Sequence, residues 1–188
     1  SDNADELLRL ADTAMYAAKA QGKDRLRFFS PHMDSATRRQ SGIKLGIERA
    51  LVNDEFELHF QPVIALPLGQ PIGAEALLRW RHPERGEVLP GEFIPQAERS
   101  GLIREIDAWV LERACRQLRA WIDAGLPALR MAVNVSARSL AHPQFLAGLR
   151  ENLTAHRVPA GRLLLEITEG AILRLGEDVR RTLHTLHE

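Results

Sequence analysis

The chain has 188 residues, 45% of them hydrophobic and 27% charged, which is ordinary globular composition, long enough for one sizeable core and unlike a disordered segment. Lysine plus arginine (25) equals aspartate plus glutamate (25), so there is no global basic field of the kind a duplex nucleic-acid partner calls for. Cys115 is the only cysteine, which excludes an internal disulfide and a cysteine zinc cluster and fits a reducing, cytoplasmic setting. No apolar run approaches the roughly 20 residues of a membrane span. The start Ser1-Asp2-Asn3-Ala4-Asp5-Glu6 is no signal peptide, so no membrane contact is expected from this segment. The absent initiator methionine points to a piece of a longer parent, in which an anchor could lie upstream.

Asp5 to Gly22 reads as a helix, with Leu7, Leu8, Leu10, Ala11, Ala14, Met15, Ala18 and Ala20 forming a broad apolar side and Gly22 a C-cap. Lys23, Asp24 and Arg25 form a polar turn, and Leu26 to Phe29 a strand. After Ser30-Pro31, Asp34 to Asn53 is helical, its polar first half serving as a linker and Ile43, Ile47, Ala50 and Leu51 forming its apolar stripe. Phe56 to Gln61 alternates, Phe56, Leu58 and Phe60 against Glu57, His59 and Gln61, and is a strand.

The most informative stretch is Gly73 to Trp80. Its period of two puts Ile72, Ala74, Ala76, Leu78 and Trp80 on one apolar face and Glu75, Leu77 and Arg79 on the other. An acid and a base flanking a leucine are poor core material unless that side faces a site. Arg81-His82-Pro83 opens a loop, a short helix starts near Gly91 with a turn at Gly101, and Ile103, Ile106, Val110, Ala114, Leu118 and Trp121 mark a long helix stopped by Gly125 and Pro127. Cys115 lies beside that stripe and is expected to be a buried, inert thiol. Met131 to Ser136 is a strand with Ala132, Asn134 and Ser136 inward. A helix from Pro143 to about His156, a strand from Leu163 to Thr168 and a helix from Glu177 to Glu188 complete the chain. Strands alternating with helices imply a parallel α/β arrangement with right-handed crossovers.

Glu75-Ala76-Leu77 followed by Arg79-Trp80 resembles the signature of the EAL family of cyclic di-GMP phosphodiesterases. The resemblance extends in order through Phe60-Gln61-Pro62, Pro90 to Glu98 (with Phe93-Ile94-Pro95), Asn134-Val135-Ser136 and Glu166-Ile167-Thr168-Glu169. The opening helix, Ala11-Asp12-Thr13-Ala14-Met15-Tyr16-Ala17-Ala18-Lys19 with Gly22 and Asp24-Arg25 beyond, resembles the C-terminal end of a GGDEF diguanylate cyclase domain, whose nucleotide site would lie upstream. The organisation implied is a GGDEF tail over 1–29, a linker over 30–41 and the N-terminal part of an EAL domain over 42–188. The fold implied is a TIM-type (β/α) barrel, of which about four of eight strands are present.

Glu75, Asn134 and Glu166 sit on three separate predicted strands and are hard oxygen donors, suited to Mg²⁺ or Mn²⁺. By resemblance all three match the family's metal ligands, with a further acid, a lysine and later glutamates coming from strands beyond this sequence. A phosphodiester resists attack until cations neutralise its oxygens and activate a water. Arg79 suits a non-bridging phosphate oxygen. Gln61, Leu77, Phe93, Ile94 and Pro95 match substrate-contacting positions, and Glu169 matches an acid that supports a neighbouring loop. On sequence grounds alone, each polar residue also fits a hydrogen-bonded polar layer, and Phe93 and Ile94 fit a core. The function implied is hydrolysis of cyclic di-GMP to the linear dinucleotide, with a non-catalytic cyclic di-GMP receptor as the alternative. An unpaired strand edge and uncovered apolar surface predict that the chain associates or domain-swaps and is inactive by itself.

Overall fold

The computed structural model describes residues 4, 7, 8, 10–12, 14, 15, 43–66, 69–126, 129–167 and 176–187. The chain divides into two compact units, Ser1–Gly46 and Ile47–Glu188. In the first, every described residue from 4 to 15 is helical, with Ala14 buried, as the alanine- and leucine-rich pattern predicts. The expected turn after Gly22, the strand Leu26 to Phe29 and the linker over 30–41 lie outside the described residues.

The second unit is built on one sheet. Residues 47–52 of helix α1 (43–52) fall in this unit, bury Ile47 and Ala50 completely and lead into β1 (Phe56–Ala65), which pairs antiparallel with β2 (Gln70–His82) from Phe56 opposite Trp80 to Ala65 opposite Gln70. The expected all-parallel arrangement is therefore corrected at its first pair. Only residues 66–69 separate these strands, and a parallel crossover needs about a dozen residues or more. A short strand, β3 (Gly86–Val88), runs antiparallel to the end of β2 where a loop was expected. Helices α2 (Pro90–Ser100) and α3 (Ile103–Asp123) then carry the chain to β4 (Arg130–Asn134), parallel to β2. A four-residue helix α4 (Ala137–Leu140) and α5 (Phe145–Ala155) lead to β5 (Leu163–Glu166), parallel to β4, and α6 (Glu177–His187) follows. The strand order is β1-β2-β4-β5 with β3 on β2, an open, mixed sheet consistent with part of a TIM-type barrel.

Local chemistry fixes the helix ends. Proline stands at the first turn of α2, where its missing N–H costs nothing, and Gly101 takes a left-handed φ of 87° at the C-cap. The stripe of α3 is as predicted: Ile103, Ile106, Val110, Ala114 and Leu118 are buried. They pack on the face of the sheet that carries Ala74, Ala76 and Trp80, also buried, whereas Ile72 on the same register is 52% exposed near the strand's start.

One end of the core is aromatic. Phe56, Trp80 and Phe93 form a triangle with ring centroids 5.4–5.7 Å apart, each contact contributing about 0.5–1.5 kcal/mol beyond burial. Trp109 packs on Phe56 and Trp121 on Phe60, so both tryptophans have the packing role expected of them. The Trp80 indole N–H donates to Oε2 of Glu55 at 3.1 Å. Among the described residues, no helix is long and apolar enough to cross a membrane.

Candidate active site

Strand register decides which side chains meet. Gln61 lies opposite Glu75, Glu75 opposite Ala132 and Ala132 opposite Leu164, forming one row across the sheet. Directly paired residues project to the same face, and the face repeats every second residue. Leu77, Arg79, Asn134 and Glu166 thus share the face of Glu75, opposite the one that α3 covers, and Asn134 and Glu166 are themselves a pair. The structure brings the three predicted oxygen donors together: Asn134 Nδ2 donates to Glu75 Oε1 at 2.8 Å, and the backbone N–H of Val135 donates to the Glu166 carbonyl at 2.9 Å.

Asn134 and Glu166 are the last residues of β4 and β5, the end at which barrel enzymes assemble their chemistry, and Glu75 lies mid-way along β2 within the stretch that pairs with β4. Asn134 and Glu166 are exposed and Glu75 is half-buried. With its Nδ2 on Glu75, the Asn134 amide leaves Oδ1 as an acceptor beside two carboxylates, a donor set of the hard-oxygen type. That set fits a divalent cation as part of a coordination shell. Among the described residues, no group of three or more His, Cys, Asp or Glu forms a metal site, so any such shell depends on the asparagine and on groups from elsewhere.

A cleft of about 800 Å³ opens at these strand ends, lined by Leu77, Arg79, Ile94, Glu98, Asn134 and Glu166, among others. Arg79 donates to its neighbour's carbonyl, Leu78 O, at 2.9 Å and lies 3.7 Å from Glu87, so its charge is only loosely neutralised. Glu75, which is half-buried, and Gln61 and Pro95, which are exposed, stand outside the lining of that cleft. Phe93 requires a correction. It is fully buried in the aromatic triangle, four residues before the equally buried Ala97, and so packs in the core of this unit. Glu169 lies outside the described residues.

Two polar groupings on this unit were not singled out from the sequence. Glu57 accepts from both Arg81 Nε and His59 Nε2 at 2.7 Å, and these partners, Arg81 first, hold its carboxyl below the usual range. His59 pairs in register with Leu77, which puts it on the site's face, as the alternation of β1 could have indicated. Asp107 on α3 is 5% exposed, and burial pushes its pKa up against the opposing pull of hydrogen bonds from Ser139 and Ser136. Its sequence signal was a lone acid between the buried Ile106 and Val110. Cys115 is buried, and burial raises its thiol to about 11, which leaves no thiolate for nucleophilic work.

Comparison with known proteins places these features in context. The family model described as the EAL domain matches residues 46–188. The bifunctional diguanylate cyclase/cyclic di-GMP phosphodiesterase MucR of Pseudomonas aeruginosa is 42% identical over 169 residues, 90% of this chain and 25% of that protein. The cyclic di-GMP phosphodiesterase NbdA of the same organism is 38% identical over 172 residues, 92% of this chain and 22% of that protein. The chain thus spans about a quarter of the length of these relatives. Among solved structures, the PaMucR phosphodiesterase in complex with c-di-GMP superposes with a TM-score of 0.73 at 40% identity, covering 78% of this chain and 59% of that one. The Xanthomonas citri FimX EAL domain in complex with c-di-GMP gives 0.71 at 30% identity, covering 81% of this chain and 59% of that one.

Proposed function

The chain belongs to the EAL domain family, and from that premise we propose that it forms the first part of a cyclic di-GMP phosphodiesterase domain, hydrolysing the cyclic dinucleotide to its linear form. The observation that carries this reading is the contact of Asn134 with Glu75 at 2.8 Å beside Glu166, three oxygen donors on adjacent strands and on one face of the sheet. Glu75, Asn134 and Glu166 would hold Mg²⁺ or Mn²⁺, which when bound neutralises phosphate charge and acidifies a water.

The remaining residues bind and orient. Arg79 lines the cleft and supplies guanidinium donors to a non-bridging phosphate oxygen. Leu77 and Ile94 give the cleft apolar surface against which a guanine can lie, with Gln61 and Pro95 contributing at its margin. Glu169 would steady a loop beside the site. Residues 1–29 would be the end of a GGDEF domain, a reading supported by the division of the chain at Gly46, by the start of the family match at residue 46 and by the bifunctional name of MucR.

The test is cyclic di-GMP binding and hydrolysis with Mn²⁺, using the chain as given and a version extended to the length of the solved relatives. Hydrolysis by the extended protein that disappears in Glu75→Gln supports the reading. Binding without hydrolysis would replace it with a receptor.

A further inference from the structure

Asp107 and Ser139 are the buried polar residues among those described, and they touch each other. A single oxygen of Asp107, Oδ2, accepts three hydrogen bonds: from the Ser136 backbone N–H at 3.0 Å, the Ser136 hydroxyl at 2.7 Å and the Ser139 hydroxyl at 2.6 Å. No arginine, lysine or histidine forms an ion pair with it among the contacts of the described residues. A buried carboxylate without a cation is costly to keep, and an apolar residue would fill the space between Ile106 and Val110 more cheaply.

The location of its donors explains why an acid suits this place. Ser136 comes two residues after Asn134, at the point where β4 ends and the four-residue α4 begins. A helix that short cannot sustain itself, and its cap is the same Ser136 hydroxyl, which accepts from the Ser139 N–H at 3.2 Å. Between Asn134 and Ser136, the Val135 N–H donates to the Glu166 carbonyl. The backbone just past Asn134 is therefore fixed to β5 at one residue and to α3 at the next, and among the described residues the hydrogen bonds that tie Ser136 to α3 go to Asp107.

We infer that Asp107 is a positioning residue: through Ser136 and Ser139 it fixes the end of β4 so that the Asn134 amide stands ready beside Glu75 and Glu166 to take a divalent cation. The inference rests on the proposed role of Asn134 as a ligand. Outer-shell partners of metal ligands typically contribute about 10–100-fold in affinity, and Asp107 acts one step further back, through the backbone.

The test is Mn²⁺ affinity by calorimetry, with the metal alone and no substrate, in the chain extended to the length of its solved relatives, on Asp107→Asn, Asp107→Ala and the separate variants Ser136→Ala and Ser139→Ala. Asp107→Ala is expected to lose roughly 10-fold or more in Mn²⁺ affinity, with Asp107→Asn retaining part of it because the amide oxygen still accepts. Amide hydrogen exchange at Val135 and Ser136 should quicken in the same order. Leu118→Ala, which loosens α3 far from β4's end, serves as the control and should leave Mn²⁺ affinity unchanged. Wild-type Mn²⁺ affinity and exchange in folded Asp107 variants would overturn the inference. If Asp107→Ala does not fold, the serine variants decide: unchanged affinity and exchange in both would overturn it equally. Absence of Mn²⁺ binding by the unsubstituted protein would instead overturn the ligand role of Asn134, and this inference with it.

Discussion

Asn134 reaches across from the end of β4 to donate from Nδ2 to Oε1 of Glu75 on β2, 59 positions earlier, at 2.8 Å. This bond joins two of the three proposed cation ligands through a direct side-chain contact. Asn134→Ala removes a proposed ligand and leaves Glu75 without this donor. Because Asn134 is exposed, stability should change by no more than about 0.5 kcal/mol. Mn²⁺ affinity should fall by at least roughly 10–100-fold. Calorimetry beside a urea melt separates the two effects.

Gly73 controls the spacing of the same strands. A Cβ there would lie 2.6 Å from the carbonyl oxygen of Arg130, the residue paired with it on β4. Gly73→Ala must push β2 and β4 apart two residues before Glu75, at an expected cost of about 1–3 kcal/mol. The shift in the urea midpoint measures this, and Mn²⁺ binding should weaken with it.

Phe93 is predicted to matter for stability and not for ligand contact. Phe93→Ala should destabilise by about 3–5 kcal/mol, since it empties a fully buried site between Phe56 and Trp80. Phe93→Leu should keep wild-type cyclic di-GMP affinity in the extended domain. A loss of affinity in Phe93→Leu without loss of stability would return Phe93 to the binding surface.

Glu55 predicts a pH dependence. Burial raises its pKa, but the Trp80 indole and Arg49 hydrogen bonds together outweigh that, and the carboxyl titrates below its ordinary 4.5. A depressed folded-state value means that the ionised group stabilises the fold above the unfolded pKa, and that this contribution is lost as pH falls through the folded one. The difference in melting temperature between wild type and Glu55→Gln should therefore be full near neutral pH and shrink below about pH 4.5.

How much of this could be read from the sequence depends on how far each feature's cause extends along the chain. The face shared by Glu75, Leu77 and Arg79 follows from a local period of two, and Asn134 and Glu166 follow from the same rule on their own strands. The burial of Phe93 was also local, given its spacing from Ala97, but the motif's family role drew attention to a ligand contact. The antiparallel pairing of β1 was hidden because the alternation marked strands only over Phe56 to Gln61 and Gly73 to Trp80, whereas the folded strands extend to Ala65 and from Gln70 and leave a connection too short for a crossover. The short β3 and α4 gave no periodic signal, because three or four residues do not complete a pattern. Gly73 and Asp107 were opaque for a different reason. Each acts on a residue of another element, Arg130 in one case and Ser136 in the other, and only the folded chain brings them together.

The most direct test of the central claim is Mn²⁺-dependent hydrolysis of cyclic di-GMP by the chain extended to the length of its solved relatives, assayed beside its Glu75→Gln and Asn134→Ala variants. The account predicts turnover to the linear dinucleotide in the unsubstituted protein and its loss in both variants. Turnover that persists in both variants at the unsubstituted rate would contradict it.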